Sequence, residues 1–204
     1  SWAAQAYALP RRLSEAGFIR YGFHGLSYEY VSRRLAQHLD GAPTGRVVMA
    51  HLGNGSSLCA TRDGVSVASS MGFTTLQQEG LTPEQVARVL DHESGLLGVS
   101  GISADMRVLL DSTESSAREA IELFVHRIVR EIGALAAVAG GMDHLVFTAG
   151  IGERAAPVRE AVSAGCGWLG LELDADANAA HATRISTDDS RVSAWVIPTD
   201  EELM

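Results

Sequence analysis

Residues 47–64 read VVMAHLGNGSSLCATRDG. An apolar run ends on His51-Leu52, a Gly53-Asn54-Gly55-Ser56-Ser57 cluster follows, and a second extended segment stops at Asp63-Gly64. Asp-Gly between two extended segments is the signal of a two-residue hairpin loop, so residues 65–70 (VSVASS) read as a third strand. The cluster at 53–57 supports two readings. Gly53 and Gly55 allow positive φ and Asn54 tolerates it, so consecutive amides could form an anion-binding nest. An ordinary hairpin loop uses the same residues. His51 stands out in either case, because it ends an apolar strand where another valine would pack more cheaply. His24, in YGFHG (21–25), raises the same question beside a chain bend.

Upstream, Leu9-Pro10 opens a short helix over residues 11–16, and FIRYGF (18–23) is strand-like. Ser27 can cap a helix whose Val31, Leu35 and Leu39 share a face. Downstream, Thr82-Pro83-Glu84-Gln85 is a capping box opening a helix to about Asp91. The glycine- and serine-rich SGLLGVSGISADMR (94–107) leads into a short helix. Ser116 can cap the longest helix, which ends near Gly140-Gly141 and carries a core stripe of Ile121, Phe124, Ile128, Ile132 and Leu135. HLVFTAGIGE (144–153) is a strand feeding a glycine turn, followed by a helix with Pro157 in its first turns. SAWVIPT (193–199) is a last strand, and the TDEEL after it reads as a first helical turn capped by Thr199 or Asp200, with more chain expected beyond Met204. A hairpin-containing sheet followed by alternating helix and strand is an α/β layered domain.

The bulk numbers exclude several classes. Sixteen basic against 25 acidic residues, net −9 over 204 residues, argue against nucleic-acid binding. No run approaches the roughly 18 apolar residues needed to span a bilayer, and no signal-peptide pattern is present. Cys59 and Cys166 lack C-x-x-C spacing, so neither zinc nor a disulfide framework is indicated, and a reducing cytoplasm fits.

Three further stretches carry candidate chemistry. Gly150 and Gly152 lack Cβ atoms, so the turn at 150–153 can approach a nucleotide, although the third glycine of the dinucleotide fingerprint is missing. Asp105 and Arg107 form either a helix cap with a surface ion pair or contacts to ribose and phosphate. Glu201 and Glu202 suit a helix start, and equally a magnesium-supporting carboxylate. His38, His92, His126, His144 and His181 show no ligand spacing and read as structural or exposed.

Taken together and in order, RYGFHGLSYEYV, AHLGNGSSLCATRDGVSVASSMGFT, SGLLGVSGISADMR, FTAGIGERAAPVRE and VIPTDEELM resemble the signature blocks of the acetate kinases. That family belongs to the acetate and sugar kinase, Hsp70 and actin superfamily. The resemblance runs from about Tyr7 to Met204; propionate kinase shares the same blocks. It implies a ribonuclease H-like, actin-like ATPase domain, a mixed sheet with hairpin strands flanked by helices, the C-terminal one of two. Residues 1–26 would connect from an absent N-terminal domain, and 27–204 would form the nucleotide-binding and dimerisation domain.

The resemblance also implies roles. His24 matches the histidine that stabilises the transferring phosphoryl group. His51, Leu52, Gly53, Asn54 and Gly55 match the phosphate-side ATP loop, and Asp105, Met106 and Arg107 a nucleotide-binding segment. Gly150, Ile151, Gly152, Glu153 and Arg154 match the adenosine-side loop. Glu201 matches the carboxylate associated with Mg²⁺ (or Mn²⁺). ATP, ADP and acetate or another short carboxylic acid are the implied ligands, in a cytoplasmic homodimer.

The departures are specific. Leu26 stands where the family has Thr, Arg154 where it has Asn, and TDEE where it has TNEE. After about residue 77 a family stretch bearing a transition-state arginine is missing. The 204 residues alone are therefore expected to be inactive. The alternatives are propionate kinase, or a nucleotide-binding or dimerisation fragment that has lost catalysis.

Overall fold

Asp63 and Gly64 both adopt left-handed backbone (φ 48° and 76°) and close a two-residue hairpin between β2 (Ser56–Arg62) and β3 (Val65–Ser69). The computed structural model describes residues 24–53, 55–70 and 94–200. The expected helix over 11–16, the strand at 18–23, the helix after Thr82, and Asn54 and Glu201 lie outside these.

Five strands form one mixed sheet in the order β3-β2-β1-β4-β5, with β1 (Arg46–Leu52), β4 (His144–Thr148) and β5 (Ser193–Val196). β1 pairs antiparallel with β2, and β2 with β3, with an irregularity between Ala60 and Thr61. β4 joins β1 in parallel, and β5 joins β4 in parallel. β1 and β4 have partners on both sides and are buried along almost their whole length. That explains their continuous apolar sequences.

One face of the sheet is covered by α1 (Gly25–His38), whose Tyr28, Val31 and Leu35 pack with Val47, Met49, Cys59, Val146, Trp195 and Ile197. Ser27 does not cap this helix. His24 is the N-cap residue, in left-handed backbone (φ 59°), and Ser27 lies buried inside the first turn. The inward row needed for Tyr28, Val31 and Leu35 also turns Ser27 toward the sheet, so its hydroxyl is used there.

Two arginines close the C-terminal end of α4 (Ser115–Ala139). Arg62 donates to Ala139 O at 2.6 Å, and Arg46 donates to Gly140 O at 2.6 Å while pairing with the Asp143 carboxylate. The two stand opposite each other in the β1–β2 register, at the negative end of the helix dipole. After β4 come α5 (Ala149–Arg154) and α6 (Ala156–Gly165), with Pro157 in the first turn of α6 as its sequence indicates. The expected Gly-x-Gly turn is itself helical. Ala149 takes left-handed backbone (φ 61°) to leave the strand, and Ala155 N–H closes on Ile151 O at 2.9 Å. A further short helix, α7 (Ala175–Ala179), is capped by Asp174.

The chain divides into two compact units, residues 1–71 with 128–204, and residues 72–127. In the second unit, α2 (Gly95–Ser100), α3 (Met106–Leu110) and the start of α4 share a small core of Leu109, Ala117 and Ala120 with Leu96 and Ile121. The longest helix begins at Ser115, one residue before the expected cap.

Candidate functional site

His51 is the penultimate residue of β1, the central strand of the sheet, opposite Ser57 on β2 and beside Thr148 on β4. Only Gly53, Asn54 and Gly55 separate β1 from β2. His24, at the start of α1, is brought over His51: the two imidazole rings stack with centroids 3.9 Å apart and planes 10° from parallel. Tyr28, one turn into α1, meets the His51 ring edge-on at 6.5 Å. Burial and the neighbouring His24 lower the His51 pKa to about 4, so its ring is neutral at physiological pH.

Hydroxyls surround this pair. His24 Nδ1 lies 2.8 Å from Ser57 Oγ, which also bonds the Tyr28 hydroxyl. His51 Nδ1 lies 2.8 Å from Ser27 Oγ, to which Thr199 Oγ1 donates at 2.9 Å. Thr199 N–H donates to Glu153 Oε1 at 3.2 Å, so the end of α5 and the chain leaving β5 meet next to His51. Thr199 was a natural cap for the following helix; its hydroxyl instead turns to Ser27. Sequence reasoning missed Ser57, Tyr28 and Thr199, and gave Ser27 a capping role. Two signals were available. Ser57 mirrors His51 across the three-residue turn, and Tyr28 is four residues from His24 on one helix face.

Gly53 is not in left-handed backbone, and its N–H donates to Gly55 O at 3.3 Å. The Gly53 amide is therefore already partnered. Both glycines lie at contact distance from the histidine pair. A Cβ at Gly53 would stand 3.5 Å from both His51 Nε2 and Ala149 Cβ, and one at Gly55 would stand 3.4 Å from His24 Nε2. The histidine pair, this turn and the start of α5 thus share one small region. Leu52 is fully buried and packs in the core.

Along α5, Gly150 is exposed with nothing within 4 Å of a Cβ built on it, whereas Gly152 is buried, 3.4 Å from the Phe147 backbone by the same measure. Gly150 is thus free to face a ligand, and Gly152 lets the helix lie on the sheet. Ile151 and Glu153 are half-buried and Arg154 is exposed. Behind the turn, Arg159 is wholly buried. It donates to Gly152 O (3.0 Å), Glu153 O (2.8 Å), Asn178 O (2.8 Å) and Asn178 Oδ1 (2.7 Å). No carboxylate pairs with it among the described residues, and burial lowers its pKa. His181, read as structural or exposed, joins this network through Glu153 O. His144 bonds Ser193 at 2.6 Å, as a structural residue would.

Within the second unit, Asp105 caps α3 by accepting from Arg107 N–H at 2.9 Å and pairs with the Arg107 guanidinium at 2.6 Å. Met106 is buried. The capping reading of this segment is therefore realised, with the Arg107 guanidinium largely in solvent. Cys59 and Cys166 are buried free thiols. No helix among the described residues is long and apolar enough to cross a membrane.

Three antiparallel strands extended in parallel by two more, helices on the faces, and a polar turn at the end of the central strand define an actin-like ATPase domain. The match to solved structures agrees: acetate kinase from Porphyromonas gingivalis superposes with TM-score 0.92 at 33% identity, covering 99% of this chain and 58% of that one. Propionate kinase from Francisella tularensis superposes with TM-score 0.90 at 32% identity, covering 100% and 59%. The chain belongs to the acetokinase family, whose model matches residues 1–78 and 75–204. An acetate kinase of Rhodopseudomonas palustris strain TIE-1 is 52% identical over 98% of this chain and 56% of its own length. One of Rhizobium meliloti is 46% identical over 97% and 56%. The chain thus spans a little over half the length of the curated relatives it matches.

Proposed function

We propose that the protein of which this chain is the catalytic C-terminal portion transfers the γ-phosphoryl group of ATP to acetate, reversibly, giving acetyl phosphate and ADP. The observation that carries this reading is the stacked His24–His51 pair set against the Gly53–Gly55 turn, in a chain of the acetokinase family. A carboxylic acid is ionised at neutral pH and is already a nucleophile, so no general base is needed. Catalysis then rests on placement and on donors aimed at the phosphoryl oxygens. In this reading His24 stabilises the transferring group. Residues 51–55 hold the phosphates, Gly150 to Arg154 the adenosine side, and Asp105 to Arg107 a further part of the nucleotide.

Beside the two imidazoles, this end of the sheet carries oxygen donors: the Glu153 carboxylate and the hydroxyls of Thr199 and Ser27. That suits Mg²⁺ or Mn²⁺, which keep several waters, lean on substrate phosphates and need one or two carboxylates. Glu201 is the residue assigned to support it, and the ion would neutralise phosphate charge. A three-ligand cluster, which such an ion does not require, is absent among the described residues.

Residues 27–204 form the C-terminal domain in this proposal, with 1–26 leading from a preceding one, in a cytoplasmic enzyme. The family match falls in two segments that meet at residues 75–78, and the alignment to the R. palustris enzyme spans 225 positions against 204 residues. Both support the absence of a family segment after about residue 77. Homodimer formation belongs to the same reading. It is supported by Trp168 and Val138, large apolar side chains 68% and 60% exposed on the first unit.

The test is ATP-dependent acyl phosphate formation by the complete protein, trapped as hydroxamate, with acetate and propionate compared. The likeness to a propionate kinase makes propionate the second candidate acceptor, and one methylene is worth roughly 1–3 kcal/mol of discrimination. His24→Ala is expected to lower kcat far more than it raises KM for ATP. Unchanged turnover would return His24 to a structural role. Acyl phosphate formation by the isolated 204 residues would overturn their expected inactivity.

A further inference from the structure

Two hydroxyl chains end on the histidine pair. One runs Tyr28 OH–Ser57 Oγ–His24 Nδ1, the other Thr199 Oγ1–Ser27 Oγ–His51 Nδ1. Each hydroxyl carries one proton. Tyr28 is buried, which pushes its phenol above the ordinary range and keeps it protonated. Its hydroxyl has one partner among the described residues, Ser57, so it donates there. The Ser57 hydroxyl is buried too, and its own proton then has one remaining partner, His24 Nδ1. Thr199 donates to Ser27, and the same count sends the Ser27 proton to His51 Nδ1. In both rings Nδ1 must accept, which leaves the ring proton on Nε2. The opposite tautomer would strand a buried serine proton, a penalty of roughly 5- to 150-fold in the tautomer ratio.

Both Nε2 atoms border the turn. His24 Nε2 lies 3.4 Å from a Cβ position at Gly55, and His51 Nε2 lies 3.5 Å from one at Gly53. Neutral rings also suit a stacking distance of 3.9 Å, which two imidazolium cations would oppose.

We propose that Tyr28, Ser57, Thr199 and Ser27 are positioning residues: two hydroxyl relays hold His24 and His51 as neutral Nε2–H tautomers, presenting a pair of N–H donors to phosphoryl oxygens at the Gly53–Gly55 turn. The inference rests on the kinase reading for its ligand, a phosphoryl group of ATP or of an acyl phosphate. It does not rest on that reading for the tautomers.

The test uses the complete protein labelled with ¹⁵N-histidine. Long-range ¹H–¹⁵N correlation at neutral pH should show His24 and His51 each with an unprotonated Nδ1 and a protonated Nε2. Ser57→Ala should scramble the tautomers of His24 alone, and Ser27→Ala those of His51 alone. In turnover assays Ser57→Ala and Tyr28→Phe should lower kcat about 5- to 50-fold with KM for ATP within about twofold, and Ser57→Thr should restore most of it. A protonated Nδ1 on His24 in the parent protein, or a His24 spectrum unmoved by Tyr28→Phe and Ser57→Ala, overturns the relay. The parent spectrum decides even if a variant fails to fold. A complete protein inert toward acetate and propionate, but with both tautomers as stated, would refute the kinase reading and leave the relay standing.

Discussion

Arg159→Met tests whether one buried guanidinium holds the α5 turn in shape. Arg159 is 0% exposed and donates to both carbonyls at the end of α5, Gly152 O and Glu153 O, and to two acceptors of Asn178. Methionine keeps the apolar stem and removes every donor. Gly152 O and Asn178 Oδ1 are buried and lose their partner where water cannot replace it, whereas Asn178 O keeps the His181 N–H. At about 1–3 kcal/mol for each orphaned buried acceptor, the gross loss is roughly 2–6 kcal/mol. Against this, the parent protein holds a buried cation with no carboxylate beside it among the described residues, a desolvation cost of several kcal/mol that the variant escapes. The net destabilisation is expected at about 2 kcal/mol. Urea denaturation gives the global value. Amide exchange at Ala155 and Val158, whose N–H groups bond Ile151 O and Ala155 O, gives the local one and should accelerate at least tenfold. Arg159→Lys should fall between, since one ammonium cannot reproduce a planar fork reaching two segments. A change below about 1 kcal/mol with unaltered exchange would refute the idea that Arg159 fixes this turn.

His51 makes stability depend on pH with a definite sign. Its folded pKa, about 4, lies below the unfolded 6.5, so the unfolded chain binds the proton first. The contribution is full above pH 6.5 and is lost as pH falls toward 4. At 1.36 kcal/mol per pKa unit the loss is at most about 3 kcal/mol; the difference in unfolding free energy between the parent and His51→Gln across this window measures it, and a flat difference would contradict it. The two glycines of α5 should separate by function. Gly150→Ala meets nothing within 4 Å and should leave stability unchanged or slightly raised while increasing KM for ATP. Gly152→Ala presses on the Phe147 backbone at 3.4 Å and should cost about 1 kcal/mol in thermal unfolding; the reverse ranking would place the ligand on the wrong face of α5.

Much of the fold was legible because its signals are local. Asp63-Gly64 specifies its hairpin through backbone conformation alone, and the apolar runs at 46–52 and 144–148 announce central strands because both faces are covered. Local signals misled where a long-range contact claimed the same atom. Ser27 has a good capping hydroxyl, but His51, 24 residues away, uses it. Thr199 likewise serves Ser27, 172 residues distant, so no window of sequence could reveal it. The AGIGE segment looked like an open turn because glycines are poor helix formers. It coils because Ala149 absorbs the left-handed step and Arg159 holds the carbonyls that the short helix leaves unpaired.

The same distinction decides what the glycine turn means. Read from sequence, Gly53-Asn54-Gly55 allowed either an anion-binding nest of amides or an ordinary hairpin loop. In the folded chain Gly53 has an ordinary angle and its amide is taken by Gly55 O. Two imidazole edges lie against this turn instead, with their Nε2 atoms 3.4–3.5 Å from the Cβ positions at Gly55 and Gly53. The donors for an anion at this turn therefore include side-chain N–H groups whose direction is set by buried hydroxyls, and not the Gly53 amide. That also accounts for the histidine at the end of an apolar strand. His51 occupies a core position, 7% exposed, at the cost of a depressed pKa, and in exchange stacks beneath His24 and keeps a neutral donor at the mouth of the sheet. A valine there would pack as well, but it would leave Ser27 without its acceptor and His24 without the ring it rests on.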